Sequence, residues 1–261
     1  MPDQWTPPSQ RRRGIDFTAL GVPAGRYVLP DVTDFLVGPT GTQDGAARIN
    51  AYLSGSATLD SLQPTEVAFI RDHFLQAAEE QRQKCVAYFE TKVPRRYSGA
   101  QPTAIAAAWA QSVVTNPDDT RSLLIVGPTG TGKTHYAYSV LRAVAETGRT
   151  TGWAAYTAAD LYARLRPRTG RDSEAEFENI ADTDVLFIDD LGAAKLTEWT
   201  EEVTYRLINH RYEQCRPGIF TSNVPPQQLR DALGERIASR LTEMCERVAL
   251  KGDDRRKGMA A

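Results

Sequence analysis

The sequence predicts an α/β fold with a parallel β-sheet, and two observations support this class. Over residues 122–222, short apolar runs alternate with longer segments of helical character. Polar motifs follow these runs directly: a glycine-rich loop follows the first run, and two adjacent aspartates follow the third. Such alternation is typical of β-α units, in which crossover helices join parallel strands and ligands collect where the strands end.

The composition is that of an ordinary globular protein. The chain has 261 residues, 41% of them hydrophobic, and a net charge of -2, which excludes an overall basic nucleic-acid coat. Its three cysteines form no C-x-x-C pair, which disfavours a zinc ribbon and a disulfide framework. No apolar run approaches the roughly 18 residues of a membrane span. We therefore expect a cytoplasmic protein without membrane contact, in which any nucleic-acid surface is local.

Three regions are predicted along the chain. Residues 1–64 are rich in Pro, Gly, Thr and Asp and are expected to be loosely structured. From residue 65 onward, apolar side chains recur at helical spacing, so a long amphipathic helix is predicted over 66–91, and Pro94 prevents its continuation. A basic linker completes this second region, 65–100. The sheet belongs to residues 101–261, so a mainly helical N-terminal region precedes it.

The elements of the third region follow from run length and periodicity. Short continuous apolar runs suit strands that are buried on both faces, and longer segments with apolar residues on one side suit helices. Strands are predicted over 122–126, 151–156, 185–188 and 218–222, and helices over 104–113, 134–146, 158–165, 198–214 and 235–243.

A phosphate-binding loop is predicted between the first of these strands and the next helix. The pattern G-x-x-x-x-G-K-[ST] is met at every required position. The glycines let backbone N–H groups face the phosphates of ATP, the lysine supplies positive charge, and the threonine hydroxyl binds Mg²⁺. The loop consists of Gly127, Pro128, Thr129, Gly130, Thr131, Gly132, Lys133 and Thr134. A partial copy within 37–45 lacks the lysine and is predicted to be a turn.

Carboxylates that hold magnesium and orient water are predicted at the end of the third strand. Asp189 is expected to bind Mg²⁺ together with Thr134, and Asp190 to orient the attacking water. The alternative is that the two aspartates cap a following helix. After the fourth strand, the amide of Asn223 is a candidate contact for the γ-phosphate or its water. The sequence around Asn223 is also compatible with an ordinary turn.

Two arginines share one face of the helix predicted over 235–243. Arg236 and Arg240 are four residues apart, beside an apolar pair that is expected to be buried. One interpretation is a solvated charged face on which the arginines pair with neighbouring glutamates. The other is that one of them reaches the nucleotide of a neighbouring subunit as an arginine finger, a role that contributes roughly 10³ to 10⁵ in rate.

Six motifs in order make the chain similar to a known group of proteins. It resembles the DnaC-type helicase loaders and the IstB-type transposition ATPases, which both belong to the AAA+ initiator and loader group. The motifs occupy residues 130–135, 187–192, 211–212, 221–223, 236–241 and 251–256. The resemblance covers about residues 92–256 and is far more specific than the phosphate loop alone.

The resemblance implies an AAA+ ATPase core with an abbreviated lid. Such proteins assemble into a ring or spiral and hydrolyse ATP at the interface between subunits. By matching position, the resemblance implies that Lys133 and Thr134 bind phosphate and Mg²⁺ and that Asp189 and Asp190 form the acidic pair. It implies that Asn223 is the sensor on the fourth strand.

The same resemblance assigns roles to further arginines. Arg240 matches the finger that acts in trans, with Arg236 at the same interface. Arg256 matches a second sensor arginine, and Arg255 is the competing assignment.

A local basic cluster is a candidate DNA contact in a chain that is otherwise near neutral. The cluster consists of Arg164, Arg166, Arg168 and Arg171. Phosphate attraction acts locally, so single-stranded DNA is a plausible ligand. The alternative is a solvated loop whose arginines pair with the acidic residues that follow.

Two functions are compatible with these motifs. The first is a loader that delivers a replicative helicase to single-stranded DNA and grips the helicase through its N-terminal region. The alternative is a transposition helper that binds duplex DNA and recruits a transposase. The long N-terminal region favours the loader, because helices that grip a partner belong there in that group. A small-molecule kinase is disfavoured by the paired arginines and the missing acceptor-binding lid.

Overall fold

The fold was analysed on a computed structural model, which describes residues 19–22, 43–170, 172–193, 197–225 and 228–252. The chain divides into two compact units, Met1–Tyr88 and Phe89–Ala261. The limits of the three regions predicted from the sequence, 1–64, 65–100 and 101–261, stay a prediction. Within the described parts of the chain, no helical segment has the length and apolarity of a bilayer-spanning helix.

The N-terminal unit is built on helix α1 (Gln43–Leu53) and most of helix α2 (Pro64–Lys92), which continues into the second unit. The limits of α2 agree with the predicted 66–91 to within two residues. Helix α1 lies where the sequence indicates only loose structure, and it includes residues 43–45 of the turn predicted within 37–45; the earlier residues of that turn lie outside the described residues. The sequence did not reveal this helix because its apolar side chains are buried only when they pack against α2. The buried residues of this core are Leu20, Val22, Ile49, Tyr52, Leu53, Leu62, Ile70 and Phe74.

An ion pair joins the two helices of this unit. Arg48 donates to Glu66 at 2.6 Å, and the Glu66 side chain is fully buried. The Arg48 hydrogen bond lowers the pKa of Glu66, so the carboxylate stays charged. Glu66 also accepts a hydrogen bond from the backbone N–H of Gln63 at 2.8 Å, which satisfies a donor at the start of α2.

The second unit contains the parallel sheet. Its strands are β1 (Ser122–Val126), β2 (Trp153–Thr157), β3 (Val185–Asp189), β4 (Gly218–Ser222) and β5 (Cys245–Ala249). Among the described residues the order is β2-β3-β4-β1-β5, and every neighbouring pair is parallel. The last strand of the predicted four, β4, therefore lies between β1 and β3. The predicted α/β class with a parallel sheet is confirmed.

Burial explains which strands the sequence revealed. The central strands β1, β3 and β4 are buried along their whole length and read as apolar runs. Strand β5 was not predicted, because Glu246 and Arg247 are exposed at the sheet edge and interrupt any apolar pattern. It is a strand because it pairs with β1 over residues 245–249. The abbreviated lid that the resemblance implies was given no residue limits, and residues 253–261, which follow this strand, lie outside the described residues.

Helices connect and cover the strands. They are α3 (Ala104–Thr115), α4 (Lys133–Glu146), α5 (Ala158–Leu165), α6 (Ser173–Ala181), α7 (Glu198–Glu213), α8 (Leu229–Leu233) and α9 (Glu235–Met244). Helix α6 was not predicted. Few residues of its sequence mark it as a helix. Asp172 accepts hydrogen bonds from two backbone N–H groups of the first turn, each at 3.0 Å, and the side chains of Phe177 and Ile180 are buried in the core.

Arg211, the first residue of one of the six motifs, is fully buried and has a structural role. Its guanidinium donates to the carbonyl oxygens of Ala181 and Thr183 at 2.8 Å, of Asp184 at 3.2 Å and of Pro217 at 2.5 Å. These four carbonyls lie at the end of α6 and before β3 and β4. Burial lowers the pKa of Arg211 to about 9, so it remains charged at neutral pH.

Loss of this guanidinium is expected to destabilise the second unit strongly. Arg211→Met keeps an apolar stem but leaves buried carbonyls without donors, so we expect the free energy of unfolding to fall by about 3 kcal/mol or more. Urea denaturation followed by circular dichroism measures the change. Arg206→Met on the same helix is the matched control, because Arg206 is exposed and pairs with exposed Glu174. We expect about 1 kcal/mol or less for the control, and equal losses would contradict the assignment.

Candidate nucleotide-binding site

The candidate site lies where three neighbouring strands end. Because β4 separates β1 from β3, the residues that follow these strands meet at one edge of the sheet. An open cleft of about 880 Å³ lies there. Its lining residues are Arg96, Tyr97, Thr129, Gly130, Gly132, Lys133, Thr134, His135, Asp190 and Asn223. Seven of these ten residues were predicted as site residues from the glycine-rich loop and the two strand ends.

The phosphate loop has the backbone geometry that its sequence requires. Gly130 and Gly132 have φ angles of 86° and 93°, in the left-handed region that favours glycine. At Gly127 the reason for glycine is space, because a Cβ there would lie 2.4 Å from the carbonyl oxygen of Leu250. Helix α4 starts at Lys133, so its N-terminal N–H groups face the loop. This arrangement suits a bound phosphate.

The lysine of the loop is buried, and it lies at the edge of the cleft. Only 5% of Lys133 is exposed. Its Nζ donates to the carbonyl oxygens of Gly127 at 2.8 Å and Pro128 at 2.9 Å, and to Oδ1 of Asn223 at 2.5 Å. A positive charge is thus held at the start of α4, beside the end of β4.

Asp189 and Thr134 together offer oxygen ligands for a divalent cation. The Thr134 hydroxyl lies 3.0 and 3.1 Å from the two carboxylate oxygens of Asp189. Burial raises the pKa of Asp189, while hydrogen bonds from Thr221 and Thr134 and the charge of Lys133 oppose that shift. A hydroxyl and a single carboxylate fit Mg²⁺, which takes few protein ligands and completes its shell with phosphates and water.

Asp190 and Asn223 are joined across the strand ends. The Nδ2 of Asn223 donates to Oδ1 of Asp190 at 2.8 Å, while its own Oδ1 accepts from Lys133. The amide orientation follows from its partners, since an ammonium group can only donate and a carboxylate can only accept. Asp190 has φ of 57°, an uncommon backbone conformation for a residue other than glycine. The helix-cap and turn alternatives do not account for these side-chain contacts.

Three residues of the cleft were missed in the sequence: His135, which directly follows the loop, and Arg96 and Tyr97. Arg96 and Tyr97 lie in the basic linker after α2, in a 3₁₀ turn over Arg95–Tyr97. The Tyr97 ring stacks on Tyr138 of α4 with centroids 4.9 Å apart and planes at 15°. Burial raises the pKa of Tyr138 to about 12. This linker is distant from the phosphate loop in the sequence, and it has no periodic pattern that would indicate a position in the cleft.

The two arginines share one face of α9, as predicted, where Arg236 is exposed and Arg240 is half-buried. Ile237 and Leu241, the neighbouring apolar pair, are 1% and 0% exposed, as expected. Arg240 donates through Nε to Oδ1 of Asn209 at 2.5 Å. Its guanidinium carbon lies 5.4 Å from the ring centroids of both Tyr205 and Tyr212.

The described contacts do not show the alternative interpretation, in which these two arginines pair with neighbouring glutamates. Glu235 pairs with Arg230 at 3.6 Å, and Glu243 accepts from the Tyr212 hydroxyl at 2.6 Å. Arg236 lies instead 5.8 Å from the ring centroid of Tyr205. Neither Arg236 nor Arg240 lines the cleft formed by the described residues of their own chain.

The contacts of the basic cluster agree in part with the alternative interpretation, in which its arginines pair with the acidic residues that follow. Arg164 pairs with Glu176, the expected acidic partner, and lies 5.8 Å from the ring centroid of Tyr156. Arg166 lies 5.6 Å from the ring centroid of Trp199. Arg168 donates to the carbonyl of Ala163 at 3.3 Å. The last member of the cluster, Arg171, and the candidate second sensors, Arg255 and Arg256, lie outside the described residues.

Relatives of the chain include replication and insertion-sequence proteins. The replicative helicase loader DnaI of Bacillus subtilis is 25% identical over 155 residues, which are 52% of this chain and 48% of that protein. A protein of an insertion sequence from Geobacillus stearothermophilus is 32% identical over 138 residues, 50% of this chain and 51% of that protein. The chain thus spans about half the length of these curated relatives.

A solved structure and a family model show the fold and the family of the chain. The crystal structure of the DnaC helicase loader superposes with a TM-score of 0.52 at 28% identity, covering 60% of this chain and 100% of that chain. The family model of the IstB-like ATP binding proteins matches residues 68–260. That match includes the whole phosphate loop, the acidic pair and Asn223. The chain therefore belongs to the family of IstB-like ATP binding proteins and has the AAA+ fold of the DnaC-type loaders.

Proposed function

We propose that the protein is an ATPase that loads a replicative helicase onto single-stranded DNA in the cytoplasm. The observation that carries the ATPase part is the connected set of contacts across three strand ends, from Lys133 through Asn223 to Asp190. These three side chains place a cation, an amide and a carboxylate along one cleft edge. That combination suits binding of a phosphate chain and orientation of a water beside it.

Each residue of the cleft has a distinct proposed role. Lys133 and the N–H groups at the start of α4 bind the phosphates, and Thr134 with Asp189 holds Mg²⁺. The bound ion neutralises phosphate charge during hydrolysis. Asp190 orients the attacking water, and Asn223 holds Asp190 in place while facing the terminal phosphate.

The base of ATP is expected to lie toward the linker side of the cleft. Arg96 and Tyr97 line that side, and Tyr97 is held by stacking on Tyr138. Arg142 of α4 donates to the carbonyl of Ser98 at 3.2 Å, which fixes the linker just beyond Tyr97. An aromatic ring and a guanidinium are both suitable surfaces for a nucleobase.

Hydrolysis is proposed to require a second copy of the chain. Arg236, which is exposed, and Arg240, which is half-buried, share one face of α9, and neither lines the cleft formed by the described residues of its own chain. A head-to-tail arrangement of subunits brings such a face to the cleft of a neighbour and generates a ring or a spiral. Asn209, Tyr205 and Tyr212 hold Arg240 in a defined orientation, which reduces the entropy lost when the guanidinium meets a phosphate.

The loading function is supported by the relatives and by the N-terminal unit. Two of the similar proteins bear the name helicase loader in their descriptions. The N-terminal unit has its own buried core and a long helix, which suits a module that grips a helicase. We propose single-stranded DNA as the second partner, without assigning its contact to the Arg164 cluster, since Arg164 already pairs with Glu176.

A transposition helper is the second candidate. The similarity to an insertion-sequence protein, at 32% identity, is higher than that to the DnaI loader. In this case the same ATP-controlled assembly would form on duplex DNA and recruit a transposase. The ATP site is common to both candidates, so it does not distinguish them.

The two candidates differ in the partner that the assembled protein retains. We expect the tagged chain to co-purify with the replicative helicase of the same genome in the presence of ATP, and to bind single-stranded DNA more tightly than duplex DNA. A Lys133→Ala chain serves as the control for nucleotide dependence. Retention of a transposase together with preferential duplex binding, and no retention of the helicase, would replace the loader with the transposition helper.

A further inference from the structure

We infer that Thr221 is a positioning residue that sets the orientation of both aspartates of the acidic pair. This inference rests on the proposed ATPase function, and it concerns a motif residue to which the sequence assigned no role of its own. Thr221 is the fourth residue of β4 and is fully buried. Its hydroxyl lies 2.5 Å from Oδ1 of Asp189 and 2.9 Å from the backbone nitrogen of Asp190.

The direction of both hydrogen bonds follows from donor and acceptor chemistry. The backbone N–H of Asp190 can only donate, so the Thr221 oxygen accepts that bond. The single hydroxyl proton is then directed to the Asp189 carboxylate. One hydroxyl group therefore links the side chain of the proposed magnesium ligand to the backbone of the proposed water-orienting residue.

The backbone of Asp190 depends on this support. Its φ of 57° is unfavourable for a residue with a side chain. The hydroxyl of Thr221 binds the N–H of Asp190, and the carbonyl of Thr221 accepts the N–H of the next residue, Leu191, at 2.8 Å. Ser222 adds a hydrogen bond to the carbonyl of Leu191 at 2.6 Å. Successive residues of β4 thus hold the turn in which Asp190 lies.

Burial makes water a poor substitute for the Thr221 hydroxyl. Asp189 is only 9% exposed and Thr221 is 0% exposed. Thr134 approaches both carboxylate oxygens of Asp189, so a rotation of that carboxylate would also change its relation to Thr134. We therefore expect loss of the hydroxyl to affect the magnesium dependence of the reaction and the chemical step, rather than nucleotide binding by the loop.

The test compares variants that differ in the hydroxyl group. Thr221→Val keeps the shape and removes the hydroxyl, while Thr221→Ser retains the hydroxyl. Thr204→Val is the matched control, because Thr204 is also a buried threonine away from the cleft. Its hydroxyl donates to the carbonyl of Thr200 at 2.7 Å and lies 2.7 Å from the Tyr162 hydroxyl, so this variant also removes two hydrogen bonds. Steady-state ATP hydrolysis is measured over a range of Mg²⁺ concentrations, and nucleotide binding is measured in EDTA with a fluorescent ATP analogue.

We expect Thr221→Val to lower kcat by roughly 10- to 100-fold and to raise the Mg²⁺ concentration for half-maximal rate about tenfold, as is typical of groups that orient metal ligands. Binding of the analogue in EDTA is expected to be unchanged. Thr221→Ser is expected to restore both quantities to within about threefold. Thr204→Val is expected to behave as the wild type. If Thr221→Val does not fold, Thr221→Ala removes the same hydroxyl without adding a methyl contact.

The outcomes separate the inference from the function on which it rests. Hydroxyl-free variants that are folded and match Thr204→Val in kcat and Mg²⁺ dependence would overturn the positioning role. A folded Thr221→Ser chain that stays as impaired as Thr221→Val would overturn it as well. If the wild-type chain binds no nucleotide with or without Mg²⁺, the proposed ATPase function itself is wrong.

Discussion

Lys133→Ala is expected to weaken ATP binding by roughly 10- to 100-fold, because a charge-assisted hydrogen bond contributes about 1.5–3 kcal/mol. The Nζ of Lys133 is held between two loop carbonyls and Asn223. A phosphate that reaches the start of α4 therefore meets a buried, oriented positive charge. Removing that charge leaves the N–H groups of the loop as the remaining anion contacts.

Isothermal titration calorimetry with ATP and Mg²⁺ measures this effect. Lys84→Ala is the matched control, because Lys84 is an exposed lysine on α2. Its dissociation constant is expected to equal that of the wild type. The proposed phosphate site would be refuted by a Lys133→Ala chain that is folded and binds ATP with unchanged affinity.

Arg240→Ala is expected to reduce ATP hydrolysis by roughly 10³-fold, as for other trans-acting arginines, and to leave ATP affinity unchanged. The reason is geometric, since Arg240 is stacked on Tyr205 and Tyr212 and does not line its own cleft. Its proposed partner is the nucleotide of a neighbouring copy. Arg230→Ala is the matched control, because the Arg230 side chain is 70% exposed on the adjacent helix α8.

Mixing two inactive variants tests the action in trans directly. Asp190→Asn disables the cleft of its own subunit, and Arg240→Ala disables the finger offered to the neighbour. A random equal mixture is expected to recover about one quarter of the wild-type rate, because about one head-to-tail interface in four combines an intact cleft with an intact finger. Normal hydrolysis by Arg240→Ala alone, or no recovery on mixing, would show that the subunit interface is different from the proposed one.

The parts of the site that the sequence predicted depend on local features. The phosphate loop could be recognised because its eight residues form the cradle by themselves. Asp189 was found because β3 is a continuous apolar run that ends in carboxylates. The shared helix face of Arg236 and Arg240 followed from helical spacing, and burial of the neighbouring apolar pair agrees with it.

The parts that were missed depend on contacts between distant segments. Tyr97 is part of the cleft because its ring meets Tyr138, about forty positions along the chain. Strand β5 exists because β1 supplies its partner, in spite of the charged residues at its centre. Arg211 stood out only as one residue of a motif, and its structural role appears when the four carbonyls around it are in place.

The sequence by itself determined the α/β class, the family resemblance, the phosphate loop and the acidic strand end, because each is encoded in consecutive residues or in a short period. Only the tertiary structure decided that β4 lies between β1 and β3. Strand order depends on how crossover helices pack, which no local pattern specifies. This order brings Thr221 to Asp189 and sets Asn223 between Lys133 and Asp190. It thereby joins the separate motifs into one connected site.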